Sequence, residues 1–274
     1  MAARKAAAKK AVEAEENVPA VKEETNVISV DFLAEDEGDG LDSLSMDDVQ
    51  IPMLKILAGI SPEVTKGNGK YVAGAAPGDI FNTVTGEVFD GEEGVLVVPV
   101  AYKREFLEWR PKDEGGGLVG FHDVMSDTVK SAVRGEKGIE HLPNGNELQN
   151  TAQHYVLLLK DDGSYEQAYI SMKSSQLKKS KKWNSMMLGI KMKKPDGSLF
   201  SPACYSHTYH LTTVPESNDR GNWSGWAISN SGPLHDRAVY EAARAFAKAV
   251  RSGEAKAAHD DEPVETVAPV ETPF

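Results

Sequence analysis

GVLVVPVAYKREFLEW, residues 94–109, decides how the rest of the chain is read. It is the strongest strand signal in the chain: its first half is continuously apolar, and its second half mixes charged and aromatic side chains. Pro99 cannot donate to a ladder, so it is expected at a bulge or on an edge.

Working outward, the neighbouring segments carry the same signal. DVQIPMLKILAG (48–59) is a β-rich run broken by Pro52, and IFNTVTGEVFD (80–90) reads as a hairpin turning at Thr85 and Gly86. Past the Gly115–Gly117 loop and a short helix expected around 126–134, HYVLLLK and SYEQAYISM flank DDGS, where Gly163 supplies the positive φ of a hairpin turn. CYSHTYHLTTV (204–214) alternates, with Tyr205, His207, Tyr209, Leu211 and Thr213 on one side, and after a PESNDRGN loop WSGWAIS forms another strand. Two segments read as helices. SSQLKKSKKWNSMMLGIKMKK (174–194) has an N-cap at Ser174 or Ser175 and an apolar stripe of Leu177, Trp183, Met186, Met187 and Ile190. PLHDRAVYEAARAFAKAVRSG (233–253) places Pro233 in its first turn and Gly253 at its C-cap. Parallel βαβ units are absent. The expected fold is mostly β with α (α+β): an OB-like antiparallel barrel or curved sheet with one Lys-rich helix and a C-terminal helix.

Charge divides the 274 residues into three parts. Residues 1–48 hold 5 Lys/Arg against 13 Asp/Glu and residues 254–274 hold 1 against 6, whereas the body, 49–253, holds 24 against 23. The net charge of −12 therefore sits on two polar arms, both expected to be disordered, around a near-neutral body. The single cysteine, Cys204, excludes an internal disulfide framework and reads as a small buried hydrophobe. No apolar run is long enough for a membrane helix.

The body carries no Walker A loop, GxGxxG, GxSxG or HExxH. His207 and His210 face opposite sides of their strand, a poor chelate. The expectation is a binding protein, not an enzyme, with no cofactor and no metal. Positive charge is concentrated at Lys173, Lys178, Lys179, Lys181, Lys182, Lys191, Lys193 and Lys194, with no acid between the first and the last of them. Lysines of this density around Trp183 combine phosphate neutralisation with an aromatic face for a base. A second mixture, Tyr102, Phe106 and Trp109 among Lys103, Arg104 and Arg110, lies at the end of the 94–109 strand, and Tyr205, Tyr209 and Trp223 lie on or beside the late strands. Lys103, Arg104, Arg110 and the eight lysines are the expected phosphate contacts. Trp109, Trp183, Tyr205, Tyr209 and Trp223 are the expected stacking platforms.

The tail, acidic and ending VETPF, resembles in composition the C-terminal tails of bacterial and phage single-stranded-DNA-binding proteins, although typical tails place acids next to the terminal aromatic. That resemblance implies that Asp260, Asp261, Glu262 and Phe274 modulate DNA binding and recruit phage or host replication proteins. The body stretches DVQIPMLKIL, SPEV, PGDIFNTVTGEVF, VVPVAYKREFLEW, YHLTTVPESNDRGNWSGWAIS and YEAARAFAKAV resemble phage-encoded single-stranded-DNA-binding proteins of replication or recombination modules. This implies a phage origin, an OB-like core, a cytoplasmic location in the infected bacterial host and binding to single-stranded DNA, with homo-oligomers allowed. The competing expectation is a phage virion structural or assembly protein with disordered acidic arms.

Overall fold

The computed structural model describes residues 29–45, 48–135, 139–219 and 221–257. The chain divides into two units after Leu44. In the first unit a single helical turn, α1 (Val30–Ala34), starts at Ser29, whose Oγ accepts the Phe32 N–H at 3.2 Å. The side chains of Phe32, Leu33, Leu41 and Leu44 are all exposed.

The second unit is mostly β with helices. A small antiparallel sheet combines β1 (Leu54–Ile56), β2 (Ile80–Asn82) and β3 (Val88–Phe89), with Gly86 at φ 75° in the β2–β3 turn. Then come β4 (Val95–Trp109), β5 (Leu118–Asp123), the short helix α2 (Asp127–Lys130), β6 (Val133–Arg134), β7 (Glu140–His141), β8 (Glu147–Leu159) and β9 (Tyr165–Lys173). Helix α3 (Leu177–Gly189) leads into a two-residue-per-strand hairpin, β10 (Met192–Lys193) and β11 (Leu199–Phe200). The chain continues with β12 (His207–Asn218), β13 (Gly221–Pro233) and α4 (Arg237–Ser252).

Among the described residues, eight strands form one antiparallel sheet that curls as a half-barrel. Its spine is the β4–β8 pair, which spans two strand groupings. At one end the order is β13-β12-β4-β8-β9, and at the other β5-β4-β8-β7-β6. The bulge expected at Pro99 is present. Pro99 pairs with Val156 and Ala101 with Tyr155, so Val100 is the extra residue and the strand bends there.

Apolar side chains fill both faces at the first end, which the continuously apolar half of β4 supplies from both of its sides. Val95, Val97, Val156 and Leu158 pack with Trp183 of α3 and with Leu54 and Ile80 of the small sheet. Val98, Val100, Tyr155 and Leu157 pack under Val239, Ala243, Phe246 and Val250 of α4. Asp236 caps α4 by accepting the Ala238 and Val239 N–H groups, and Gly253 closes it at φ 84°.

Several boundaries differ from expectation. α3 stops at Gly189, where Ile190 turns extended at ψ 126°, so Lys191–Lys194 leave for the hairpin. Neither Ser174 nor Ser175 caps α3: both lie in a 3-10 turn, and Ser174 has φ 51°. Pro233 ends β13 instead of starting α4, and the PESN residues extend β12 because β12 and β13 pair to their common turn. The body also runs past Gly253. Ala255 is buried, and the Ala257 N–H donates to the Tyr155 hydroxyl at 3.1 Å, so residues 254–257, assigned to the tail by composition, dock on the core. The expected disorder of residues 1–28, and the tail residues Asp260, Asp261, Glu262 and Phe274, lie outside the described residues.

Candidate nucleic-acid interface

The basic segment folds so that helical periodicity sorts its side chains. Lys178, Lys181, Lys182, Ser185 and Leu188 recur at i, i+3, i+4 and i+7 spacing and form the exposed stripe of α3. Ser180 and Trp183 point inward. The indole of Trp183 is 0% exposed, stacks on His154 of β8 at 4.5 Å between ring centres and meets the Tyr209 ring edge-on at 5.7 Å. His154 shares a 2.8 Å hydrogen bond with the Ser180 hydroxyl, and burial lowers its pKa from 6.5 to about 3, so the ring is neutral under α3.

Lys179 lies at the flank of the helix and is committed elsewhere. Its ammonium sits 2.6 Å from Glu216 of β12, whose other oxygen accepts the Trp223 indole N–H at 2.9 Å. The Lys179 partner holds the Glu216 carboxyl below its usual range, with the indole bond adding to the effect. Gly225 makes room for this clamp, since a Cβ there would stand 2.5 Å from Glu216 Oε2 and 2.9 Å from Gln176 Nε2. Of the eight lysines, the other seven are exposed, and none of those seven makes an ion pair among the described residues.

The β10–β11 hairpin continues the ridge. Residues 191–201 are all exposed. Met192 pairs with Phe200 and Lys193 with Leu199 across the turn, flanked by Lys191 and Lys194, and within the turn Gly197 adopts φ 84° and Asp196 accepts the Ser198 N–H at 2.8 Å. The turn signal PDGS between two short polar-apolar runs marks this hairpin in the sequence, and Phe200, Leu199 and Met192 are surface residues that the helical reading missed.

Strand alternation divides the cations of β4. Tyr102 and Arg104 pair with His154 and Ala152 and therefore lie on the α3 face. Tyr102 is 42% exposed and 5.0 Å from the His154 ring, and Arg104 hydrogen-bonds Asn150 at 3.0 Å with its guanidinium over Phe106. Lys103 points to the α4 face, with its ammonium over the Tyr155 ring at 5.8 Å. Trp109 alternates onto that same side, half-buried, and Arg110 is exposed just beyond the strand end. An open cleft of about 480 Å³ at this edge is lined by Lys103, Arg104, Glu105, Phe121, His122 and Asp123, a mixture of both signs, and burial raises the Glu105 carboxyl.

Two expected platforms need correction. Trp183 and Tyr209 are each 0% exposed and belong to the core, because the inward stripe of α3 and the inward face of β12 meet there. Tyr205 packs edge-on against Tyr240 of α4 at 5.0 Å, on the far side of the sheet from α3. The half-buried Trp223 is held by Glu216. The exposed aromatics that do accompany the lysines are Tyr102, on the sheet face that α3 covers, and Phe200, on the hairpin.

Residues 22–256 match the model of a family described as Pam3 phage gp34-like protein. The chain belongs to this family. The match takes in the whole described sheet and both long helices of this gp34-like protein, and it makes the protein one of a phage family. No curated protein and no solved structure matches it. Among the described residues, no three His, Cys, Asp or Glu side chains are grouped to hold a metal ion, and no helix is long and apolar enough to cross a membrane.

Proposed function

We propose that this phage protein binds single-stranded DNA with little sequence preference in replication or recombination, as a binding protein without catalytic activity, on an OB-like curled sheet. The observation that carries this reading is the run of seven exposed lysines, from Lys173 at the end of β9 along α3 to the β10–β11 hairpin, without acidic partners among the described residues, with Arg104 and Tyr102 on the sheet face beneath. Cations in this density follow a phosphate backbone, and two exposed rings, Tyr102 and Phe200, offer stacking that tolerates any base. Release of counterions makes such binding steeply salt-dependent: at about 0.7 per phosphate on a single strand, eight cations give a slope of log K against log salt near −6.

The test is fluorescence anisotropy of a labelled oligo-dT strand with the full chain across a salt series. Binding at low salt that weakens steeply as salt rises is the expected result. No binding at low salt, or binding indifferent to salt, overturns the proposal. The acidic residues beyond Ala257, with Asp260, Asp261 and Glu262 among them, are proposed to compete with DNA for this ridge, and Phe274 to engage replication proteins. A chain ending at Ala257 keeps the docked residues 254–257 and is expected to bind oligo-dT more tightly than the full chain; equal affinity removes the competition. The exposed Met192, Leu199 and Phe200 also favour a second reading, a virion structural or assembly protein, which co-sedimentation with purified virions tests.

A further inference from the structure

The second long helix carries charge that binding on the ridge does not use. α3 packs on one face of the sheet and α4 on the other, so their outer sides point away from each other. Arg237, Glu241, Arg244, Lys248 and Arg251 recur at i, i+4, i+7, i+11 and i+14, which places all five on one exposed stripe of α4. Glu241 is the single acid of the helix and is taken by Arg237 at 2.9 Å. Arg244, Lys248 and Arg251 make no ion pair among the described residues. Ala238, Ala245 and Ser252, also exposed, run beside the stripe as a row of small side chains, so the cations stand above a low floor along the helix.

The occupant follows from what the stripe offers and what it lacks. From Arg244 to Arg251 the helix rises about 10 Å, a length in which duplex DNA presents about six phosphates at one per ~1.7 Å of axis. The planar forks of the two arginines match phosphate oxygens. Among the described residues, none of the exposed large apolar side chains lies on α4, and Tyr240 is half-buried, edge-on to Tyr205 at 5.0 Å. A single strand draws its stacking from exposed rings, and a protein partner draws its anchor from aromatic and apolar side chains that fill pockets. α4 supplies neither. A duplex, whose bases already stack on one another, asks only for phosphate contacts. We propose that the Arg244, Lys248 and Arg251 stripe binds the backbone of double-stranded DNA without reading its sequence, at a site separate from the α3 and β10–β11 ridge. The duplex site goes beyond the single-strand reading and does not depend on it; with both in place, one copy bridges a single strand and a duplex on opposite faces of its sheet.

The test is anisotropy of a labelled blunt-ended duplex of about 20 base pairs, roughly two helical turns, with the full chain across a salt series. Binding at low salt that weakens steeply as salt rises is expected. Arg244→Gln with Lys248→Gln and Arg251→Gln leaves a good helix former at each exposed position and removes the charge. This variant should lose about 2.7 from the magnitude of the duplex slope, three phosphates at about 0.9 each, and bind duplex roughly tenfold or more weakly, with oligo-dT affinity within about twofold of the parent. Glu241→Gln works in the opposite direction: it frees Arg237 and should add about 0.9 to the slope. Lys181→Ala/Lys182→Ala/Lys193→Ala, on the ridge, should keep the parent's duplex slope. Unlabelled duplex added to a labelled oligo-dT complex should leave the oligo-dT bound. No duplex binding at low salt, a stripe variant with the parent's slope, a duplex loss confined to the ridge variant, or stoichiometric displacement of oligo-dT by duplex overturns the proposal. Oligo-dT that fails to bind leaves the duplex result standing, and duplex that fails to bind leaves the oligo-dT result standing.

Discussion

Replacing Trp183 separates a core residue from a base platform. The indole is fully buried, stacked on His154 and set edge-on against Tyr209, in a cluster that also holds Val97, Ile170 and Trp226. Trp183→Ala removes all of these contacts and leaves a cavity between α3 and the sheet, at a cost of about 3–5 kcal/mol. For a body of this size each kcal/mol moves the melting midpoint by about 2–4 °C, so the variant should melt roughly 6–20 °C lower. Trp183→Phe differs instructively. The indole N–H is buried without a partner, so phenylalanine removes an uncompensated donor while keeping a ring against His154, and the loss should be no more than about 1–2 kcal/mol. Thermal melts by circular dichroism and oligo-dT anisotropy, run on both variants, give two independent readouts. Oligo-dT affinity of Trp183→Phe should stay within about twofold of the parent, because a buried ring contributes none of the ~1–3 kcal/mol that a stacked base supplies. Trp183→Ala melting within 2 °C of the parent, or Trp183→Phe losing tenfold in affinity with an unchanged melt, would refute the placement of this residue.

Glu216→Gln should free Lys179 for phosphate, steepening the salt slope of oligo-dT binding by about 0.7 with a stability loss below ~1 kcal/mol, and an unchanged slope in titrations would show that Lys179 does not face the DNA. Gly225→Ala should act in the same direction by pushing Glu216 off the clamp, with a red shift of Trp223 emission as its signature. His154 contributes a pH dependence whose sign follows from its depressed pKa. Its contribution is complete above the unfolded value near 6.5 and is lost as pH falls toward about 3, because only the unfolded chain takes up the proton in that interval. Denaturant melts between pH 4 and 8 should therefore show stability falling by up to ~1.4 kcal/mol per pH unit below about 6.5 in the parent, and a shallower fall in His154→Gln; parallel curves would contradict a neutral buried ring.

Much of the sheet was legible from local chemistry. The valine run before Pro99, the glycine of the β8–β9 turn and Gly253 after α4 each solve a local problem that only that residue type solves well, so the strand, the turn and the cap appear where expected. The pairing of β4 with β12 at one end and β5 at the other depends on which strands return to its edge, and no local pattern encodes that. The site was legible in charge and not in orientation. Lysine density identified the ridge, but whether Trp183 faced the sheet or solvent turned on the phase of α3 relative to a core that the segment itself does not describe. Reading 191–194 as helix hid the hairpin, because PDGS and two residues of strand on either side are too short to outweigh the preceding helical pattern. Adjacent positions in β4 also concealed that Arg104 and Lys103 serve opposite faces, a consequence of the period of two that composition alone does not register.

That opposition supplies the sharpest test of the DNA-binding proposal. The slope of log K against log salt for oligo-dT is measured for the parent, for Lys181→Ala/Lys182→Ala/Lys193→Ala on the ridge, and for Lys103→Ala on the α4 face. The proposal predicts that the ridge variant loses about 2 from the magnitude of the slope, three phosphates at about 0.7 each, while Lys103→Ala retains the parent's slope. A ridge variant with the parent's slope, or a loss confined to Lys103→Ala, would contradict it.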